Sequence, residues 1–307
     1  MSLPPIDPAP GRIQILSPEP SGVARVEPTA TVLDPLPVPS RRVPNLGHAA
    51  LFLGFAAMLF LLMQLALVML GLAPVKESGG AITVLHPMLQ IAVLGATYAG
   101  TLAAAWLFFP LIWHKPFGAG LQWNWAAARS HRSGLLGMGL LLGATSAVAS
   151  SLIPQAKQPP VDQFFPTATA AWIMTVFGTL VAPVFEEIAF RGFLLPAFAI
   201  ALDWLRSPRS EGGYAKWRAS TSLSPMAWAF SAVLTSVLFV RIHADQIGNA
   251  WGPLLVLFCV SLLLTGVRIK TRSVAASVMV HAAYNGLIFL TTLIATGGYR
   301  HLDRLAQ

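Results

Sequence analysis

The chain is 307 residues long, 55% hydrophobic and only 10% charged, with a formal net charge of +8. A soluble domain carries roughly 25% charged residues, so the composition excludes an ordinary globular protein and points to one that crosses a membrane several times. In a soluble chain the positive balance would suggest nucleic acid. Here Lys and Arg cluster between apolar runs, where topology and anionic lipid headgroups account for them, and nucleic acid is not an expected partner.

Residues 1–45 hold nearly half of the chain's 24 prolines, spread among Ser, Glu, Arg and Val. Such a segment neither continues a helix nor buries a core, which predicts a disordered Pro-rich tail. It does not read as a signal peptide, whose basic start is followed at once by an apolar core.

A membrane-spanning helix needs about 20 apolar residues. Seven runs qualify, over 47–72, 87–113, 133–153, 168–201, 225–243, 252–268 and 273–296. The expected fold is an all-α polytopic membrane protein of seven or eight transmembrane helices in one bundle. Its organisation is a tail over 1–45, N-terminal membrane helices over 46–165, a second helical group over 166–296 that carries the polar chemistry, and a short tail over 297–307. Cys259, the only cysteine, lies in an apolar run, so neither an internal disulfide nor a Cys-based metal site is available. Gly139 and Gly143 form a small-xxx-small pair, a signal for close helix packing.

Arg41 and Arg42 precede the first run; Lys115, Arg129 and Arg132 lie between the second and third. Arg206, Arg209, Lys216 and Arg218 lie between the fourth and fifth, and Arg268, Lys270 and Arg272 between the sixth and seventh. The alternate connections hold only Lys76, Lys157 and Arg241. The bias predicts a cytoplasmic N-terminus. It leaves Arg300 and Arg304 outside, unless an eighth short or re-entrant segment follows.

A carboxylate at the bilayer centre costs about 2.5–3.5 kcal/mol, so intramembrane charges face a cavity or pair with one another. The fourth run contains "EEIAFR", with Glu186, Glu187 and Arg191. Residues four apart share a helix face, which pairs Glu187 with Arg191. Neighbouring residues project about 100° apart, so Glu186 and Glu187 are not expected to face one site. Pro183 breaks the backbone ladder toward the Thr179 carbonyl, which would open room beside Glu186. The fifth run ends on "FVRIH", with His243 four residues after Phe239; the seventh holds "HAAYN", with His281 and Asn285 on one face.

Taken singly, each stretch has a plain structural reading: an ion pair, an interfacial histidine, interhelical hydrogen bonds. Together they describe chemistry. A carboxylate and a histidine hold and deprotonate a water. A second histidine and an asparagine donate hydrogen bonds to a carbonyl oxygen as it gains charge. With helices entered from a shared side, Glu186 and His243 stand roughly 22 and 25 Å from the loop but His281 only about 12 Å, a mismatch in level. No Ser-His or Cys-His pairing, glycine-rich phosphate loop or H-E-x-x-H motif competes.

In order, "EEIAFR", "FVRIH" and "HAAYN" resemble the signature of the type II CAAX prenyl protease family, also called CPBP, over roughly 170–290. That family includes bacterial proteins linked to bacteriocin processing, self-immunity and abortive infection. The resemblance implies an intramembrane protease, multi-pass in a bacterial plasma membrane, acting on a membrane-associated protein or peptide, with CAAX-like C-terminal processing. By position it implies that Glu186 and His243 activate water, that His281 and Asn285 form the oxyanion site, and that Glu187 and Arg191 support it. Although the family is often labelled metalloprotease, it is also read as a metal-free glutamate hydrolase. The expectation is no tightly bound ion; the alternative is Zn held by Glu186, His243 and His281. The stretch 203–224 departs from the compact form and is read as a longer loop, with an amphipathic interfacial element as the alternative. Competing functions are a non-catalytic immunity or scaffold protein of the same fold and a proton-coupled transporter; the absence of an internal repeat disfavours the latter.

Overall fold

The computed structural model describes residues 42–72, 87–153, 160–220 and 222–306. The Pro-rich tail up to residue 41, with Arg41, lies outside the described residues, as do Lys76 and Lys157. The chain forms α1 (Leu46–Met69), α2 (Pro87–Trp113), the short α3 (Phe117–Leu121) and α4 (Trp125–Ser130), and α5 (Arg132–Leu152). The fourth span is α6 (Ala168–Val176), α7 (Ala182–Glu187) and α8 (Leu195–Arg206), joined by π-helical turns at Phe177–Val181 and Ile188–Leu194. Then follow α9 (Glu211–Ala219), α10 (Pro225–His243), α11 (Trp251–Thr271) and α12 (Val274–Ala295). Among the described residues seven helical spans are long and apolar enough to cross a membrane, and no strand is formed. The expected all-α bundle is the fold, with seven spans among the described residues; a 3-10 turn at Leu302–Ala306, not an eighth span, follows the seventh.

Helix starts follow local chemistry. Asn45 and His48 make a reciprocal capping box at α1. Thr167, Ser224 and Ser273 each accept a hydrogen bond from a first-turn N–H of α6, α10 and α12. Packing follows shape. A Cβ on Gly139 would lie 2.4 Å from the Val280 carbonyl and one on Gly143 3.1 Å from Leu287, so the two glycines let α5 lie directly on α12. An aromatic core of Phe52, Phe109, Trp113, Phe193 and Phe239 ties α1 and α2 to the fourth and fifth spans. Leu61, Leu65 and Met69 of α1 stay exposed, an apolar surface suited to lipid.

Two expectations are corrected. The stretch 203–224 is not a plain loop, since it contains α9. Asp203 organises it, accepting from Arg42 Nη1 (3.2 Å), Trp217 Nε1 (3.1 Å) and the Ser224 backbone N–H (3.0 Å). Arg42 also donates to the Trp217 and Ser220 carbonyls. These bonds hold a nine-residue helix that contains two glycines and would be marginal alone. Second, Arg268 is not a loop charge. It is 4% exposed and donates to the carbonyls of Arg191 (3.2 Å) and Leu121 (3.4 Å).

The Arg268 bond also explains the level of His281. Arg191 lies 15 residues before the end of α8, roughly 22 Å of helix. The α11–α12 turn follows Arg268 by four residues and is therefore recessed into the protein. Residues between α3 and α4 cover it: the Gln122 carbonyl accepts from Val274 N–H (3.2 Å) and the Asn124 carbonyl from Ser273 Oγ (2.8 Å). His281, seven residues along α12, thus reaches the level of Glu186 from a turn that starts deep.

Candidate active site

The backbone of the fourth span is shaped before its carboxylates are. In the first π turn the Ala182 N–H reaches the Phe177 carbonyl, five residues back. The same register would pair the Gly178 carbonyl with the nitrogen of Pro183, which carries no hydrogen. Asn285 Nδ2 of α12 donates to that carbonyl instead, at 2.7 Å. The ladder defect expected at Thr179 is thus met at Gly178, as a π turn rather than a simple kink. It gives Asn285 a defined structural bond between two spans.

The second π turn carries Arg191. Its Nη1 donates to Glu187 Oε1 (2.9 Å), and its Nη2 to the carbonyl (2.9 Å) and hydroxyl (2.8 Å) of Ser261 on α11. Glu187 and Arg191 are both 0% exposed. The guanidinium lies over the Phe239 ring at 4.8 Å. Phe239 therefore works twice, since its carbonyl also bonds His243 Nδ1 at 2.7 Å. The Glu187–Arg191 pair was legible from its spacing. Ser261, Arg268 and the face of Phe239 were not, because each lies on another helix.

Glu186 sits between two histidines. His243 Nε2 is 3.8 Å from Glu186 Oε1, and His281 Nε2 is 3.8 Å from Oε2. His281 Nδ1 is 2.9 Å from Glu187 Oε1. The expectation that the two glutamates serve different surroundings is thus corrected: one imidazole meets both. The physical reason is the ring, whose two nitrogens point apart and span carboxylates that diverge along the helix.

The partners fix the tautomers. A carbonyl only accepts, so His243 Nδ1 bears hydrogen and, in the neutral ring, Nε2 carries a lone pair. Glu187, paired with Arg191, likewise accepts from His281 Nδ1, which leaves His281 Nε2 a lone pair unless the ring is cationic. The carboxylate and both Nε2 atoms are therefore acceptors when the histidines are neutral.

Glu186 and His243 line a cavity of about 390 Å³. Its wall is largely apolar, from Ile91, Leu94, Met174 and Phe177, with Tyr98 and the amides of Gln64 and Gln90 among it. His281 and Asn285 lie outside this lining. Half the wall thus comes from α1 and α2, which the motifs do not cover. The available signal was the pair of glutamines in otherwise apolar runs.

The residues are a poor match to a metal centre. Among the described residues no three His, Cys, Asp or Glu side chains are arranged to hold an ion. Glu186 meets the two histidines through different oxygens.

Residues 168–287 match the family model described as type II CAAX prenyl endopeptidase Rce1-like. The match runs from α6 into α12, contains all three motifs and bears out the resemblance to that family. That description is of a CAAX prenyl endopeptidase family, and the matched segment holds Glu186, His243, His281 and Asn285. No curated protein and no solved structure matches the chain.

Proposed function

We propose that this chain, a CAAX-type intramembrane protease by the family of its residues 168–287, cleaves a peptide bond with a water activated by Glu186 and His243. One observation carries the reading: the Glu186 carboxylate lies at the wall of an apolar cavity with a histidine Nε2 at 3.8 Å from each oxygen. A water donating to both Glu186 Oε1 and His243 Nε2 would sit about 2.8 Å from each, which that separation admits. As its oxygen adds to the scissile carbonyl carbon, Glu186 takes its proton. When the C–N bond breaks, the proton passes to the departing amine.

His281, oriented by Glu187, stands on the far oxygen of Glu186. As an imidazolium it offers an Nε2–H toward developing charge. Asn285 retains a second amide hydrogen for the same purpose while its first holds the Gly178 carbonyl. Glu187 and Arg191 keep these groups in register. The substrate we propose is a membrane-associated protein with a CAAX-like C-terminal tail, whose apolar part the cavity suits. We place the chain in a bacterial plasma membrane with its N-terminus cytoplasmic, a topology supported by exposed Arg206, Arg209, Lys216 and Arg218 between the fourth and fifth spans.

We further propose that no tightly bound ion takes part, since among the described residues no three His, Cys, Asp or Glu side chains are arranged to hold one. Metal content of active protein, followed by turnover after prolonged chelation, tests this. Stoichiometric zinc, with activity lost on chelation and restored by zinc alone, would instead place Glu186, His243 and His281 around a metal. The functional test is a comparison of peptides in membranes from cells carrying native protein or Glu186→Gln. The proposal expects membrane-anchored substrates to accumulate uncut with the variant; indistinguishable peptide sets would overturn it.

A further inference from the structure

We propose that the Tyr98 hydroxyl is a catalytic hydrogen-bond donor to the scissile carbonyl oxygen. This rests on the hydrolytic reading above and adds to it a residue of α2, outside the matched segment 168–287. The need for a donor follows from the site. Oxygen gains negative charge when water adds to the carbonyl, and in an apolar cavity that charge must be met by N–H or O–H groups. Yet Glu186 and the Nε2 atoms of the neutral histidines are acceptors. His243 Nδ1 is committed to the Phe239 carbonyl, His281 Nδ1 to Glu187, and one amide hydrogen of Asn285 to Gly178. Moreover, His281 and Asn285 do not line the cavity, so a donor in its wall would add to the one hydrogen each of them offers.

Tyr98 lines the same cavity as Glu186 and His243. Its position is fixed. The ring stacks face to face on Phe185 at 3.8 Å between centroids and 4° between planes, and on Phe177 at 5.8 Å. Phe185 is the residue before Glu186, so the stack ties the Tyr98 ring to the same helix, α7, that carries the carboxylate. Among the described residues the hydroxyl has no hydrogen-bond partner of its own. A stacked ring with a free donor in the wall of the cavity that also holds the base is an arrangement that can stabilise a tetrahedral oxyanion without reorganisation. The hydroxyl keeps its proton throughout: its hydrogen bond shortens as the C=O bond becomes a C–O⁻ bond and lengthens again when the C–N bond breaks.

Tyr98→Phe tests the assignment, because it keeps the ring, the stack and the cavity. The assay uses purified full-length protein in lipid vesicles and a peptide cut by the native chain but spared by Glu186→Gln. Loss of one oxyanion donor lowers kcat about 10²–10³-fold. The expected result is that loss, with KM within about twofold and unchanged thermal stability, as for an interaction made in the transition state. A fluorinated tyrosine at 98, which keeps the hydroxyl as a donor, should restore kcat, whereas a packing role predicts no gain over Tyr98→Phe. Native kcat in Tyr98→Phe, or a rise in KM alone, overturns the Tyr98 assignment while leaving the Glu186 reading intact. Native turnover by Glu186→Gln, or no peptide spared by it, removes both.

Discussion

Glu187→Gln separates support from chemistry at two adjacent carboxylates. In the native protein Glu187 Oε1 accepts from Arg191 Nη1 and His281 Nδ1, each at 2.9 Å, in a site where both Glu187 and Arg191 are fully buried. Glutamine preserves the shape and one acceptor oxygen but removes the charge. Breaking a buried ion pair from one side costs about 3–5 kcal/mol. Arg191 keeps two bonds to Ser261 and its place over Phe239, so the loss should fall at the low end, about 3 kcal/mol. His281 keeps an acceptor at Nδ1, so its ring stays oriented and turnover should drop only about tenfold, as for groups that orient a functional histidine. Denaturation in mild detergent, followed by tryptophan fluorescence, gives the stability; turnover on the same preparation gives the activity. A variant of native stability that is as inactive as Glu186→Gln would refute the reasoning and reverse the roles of the two glutamates.

Gly139→Ala should harm both stability and rate. Its Cβ would lie 2.4 Å from the Val280 carbonyl and 2.6 Å from Ala283 Cβ, so α5 and α12 must part. Overpacking of that kind costs about 1–3 kcal/mol, and moving the helix that carries His281 by about 1 Å can cost 10²-fold in rate. Thermal stability and turnover measured together check it, and native values for both would contradict the packing. Asp203→Asn should loosen α9 without touching the cavity. Replacing an acceptor of three hydrogen bonds at a half-buried site costs about 1–3 kcal/mol. Faster tryptic cleavage at Lys216 and Arg218 with unchanged turnover is the expected result; an unchanged digestion rate would remove Asp203 as the organiser.

The spans were legible because lipid imposes a length and an apolar character that sequence states directly. The fifth, at Pro225–His243, has the bounds its composition suggested. The fourth extends beyond its expected end to Arg206, since Asp203 and Trp204 are polar or amphipathic yet still helical. Local spacing also foretold the Glu187–Arg191 pair. The features that the sequence does not display depend on distant partners. The π turn at Phe177–Val181 needs both Pro183 and an amide 107 residues away from Gly178. Arg268 read as a topology signal because an arginine at the end of an apolar run is usually wet; its carbonyl partners on the second π turn and α3 are invisible in its neighbourhood. Helix α9 contains Gly212 and Gly213, poor helix formers, and depends on Arg42 and Asp203 from other elements. The contact of His281 with both glutamates follows from ring geometry, which a helical-wheel argument omits.

The most direct test of the central claim is the turnover of purified Glu186→Gln in lipid vesicles, on a peptide that the native protein cleaves. The substitution keeps the size of the side chain but removes the acceptor that takes the proton of the water between Glu186 and His243. Loss of a general base lowers the rate about 10²–10⁴-fold. The account predicts a loss in that range with native thermal stability, since Glu186 lies outside the Glu187–Arg191–Ser261 network. Near-native turnover by a folded Glu186→Gln protein would contradict it.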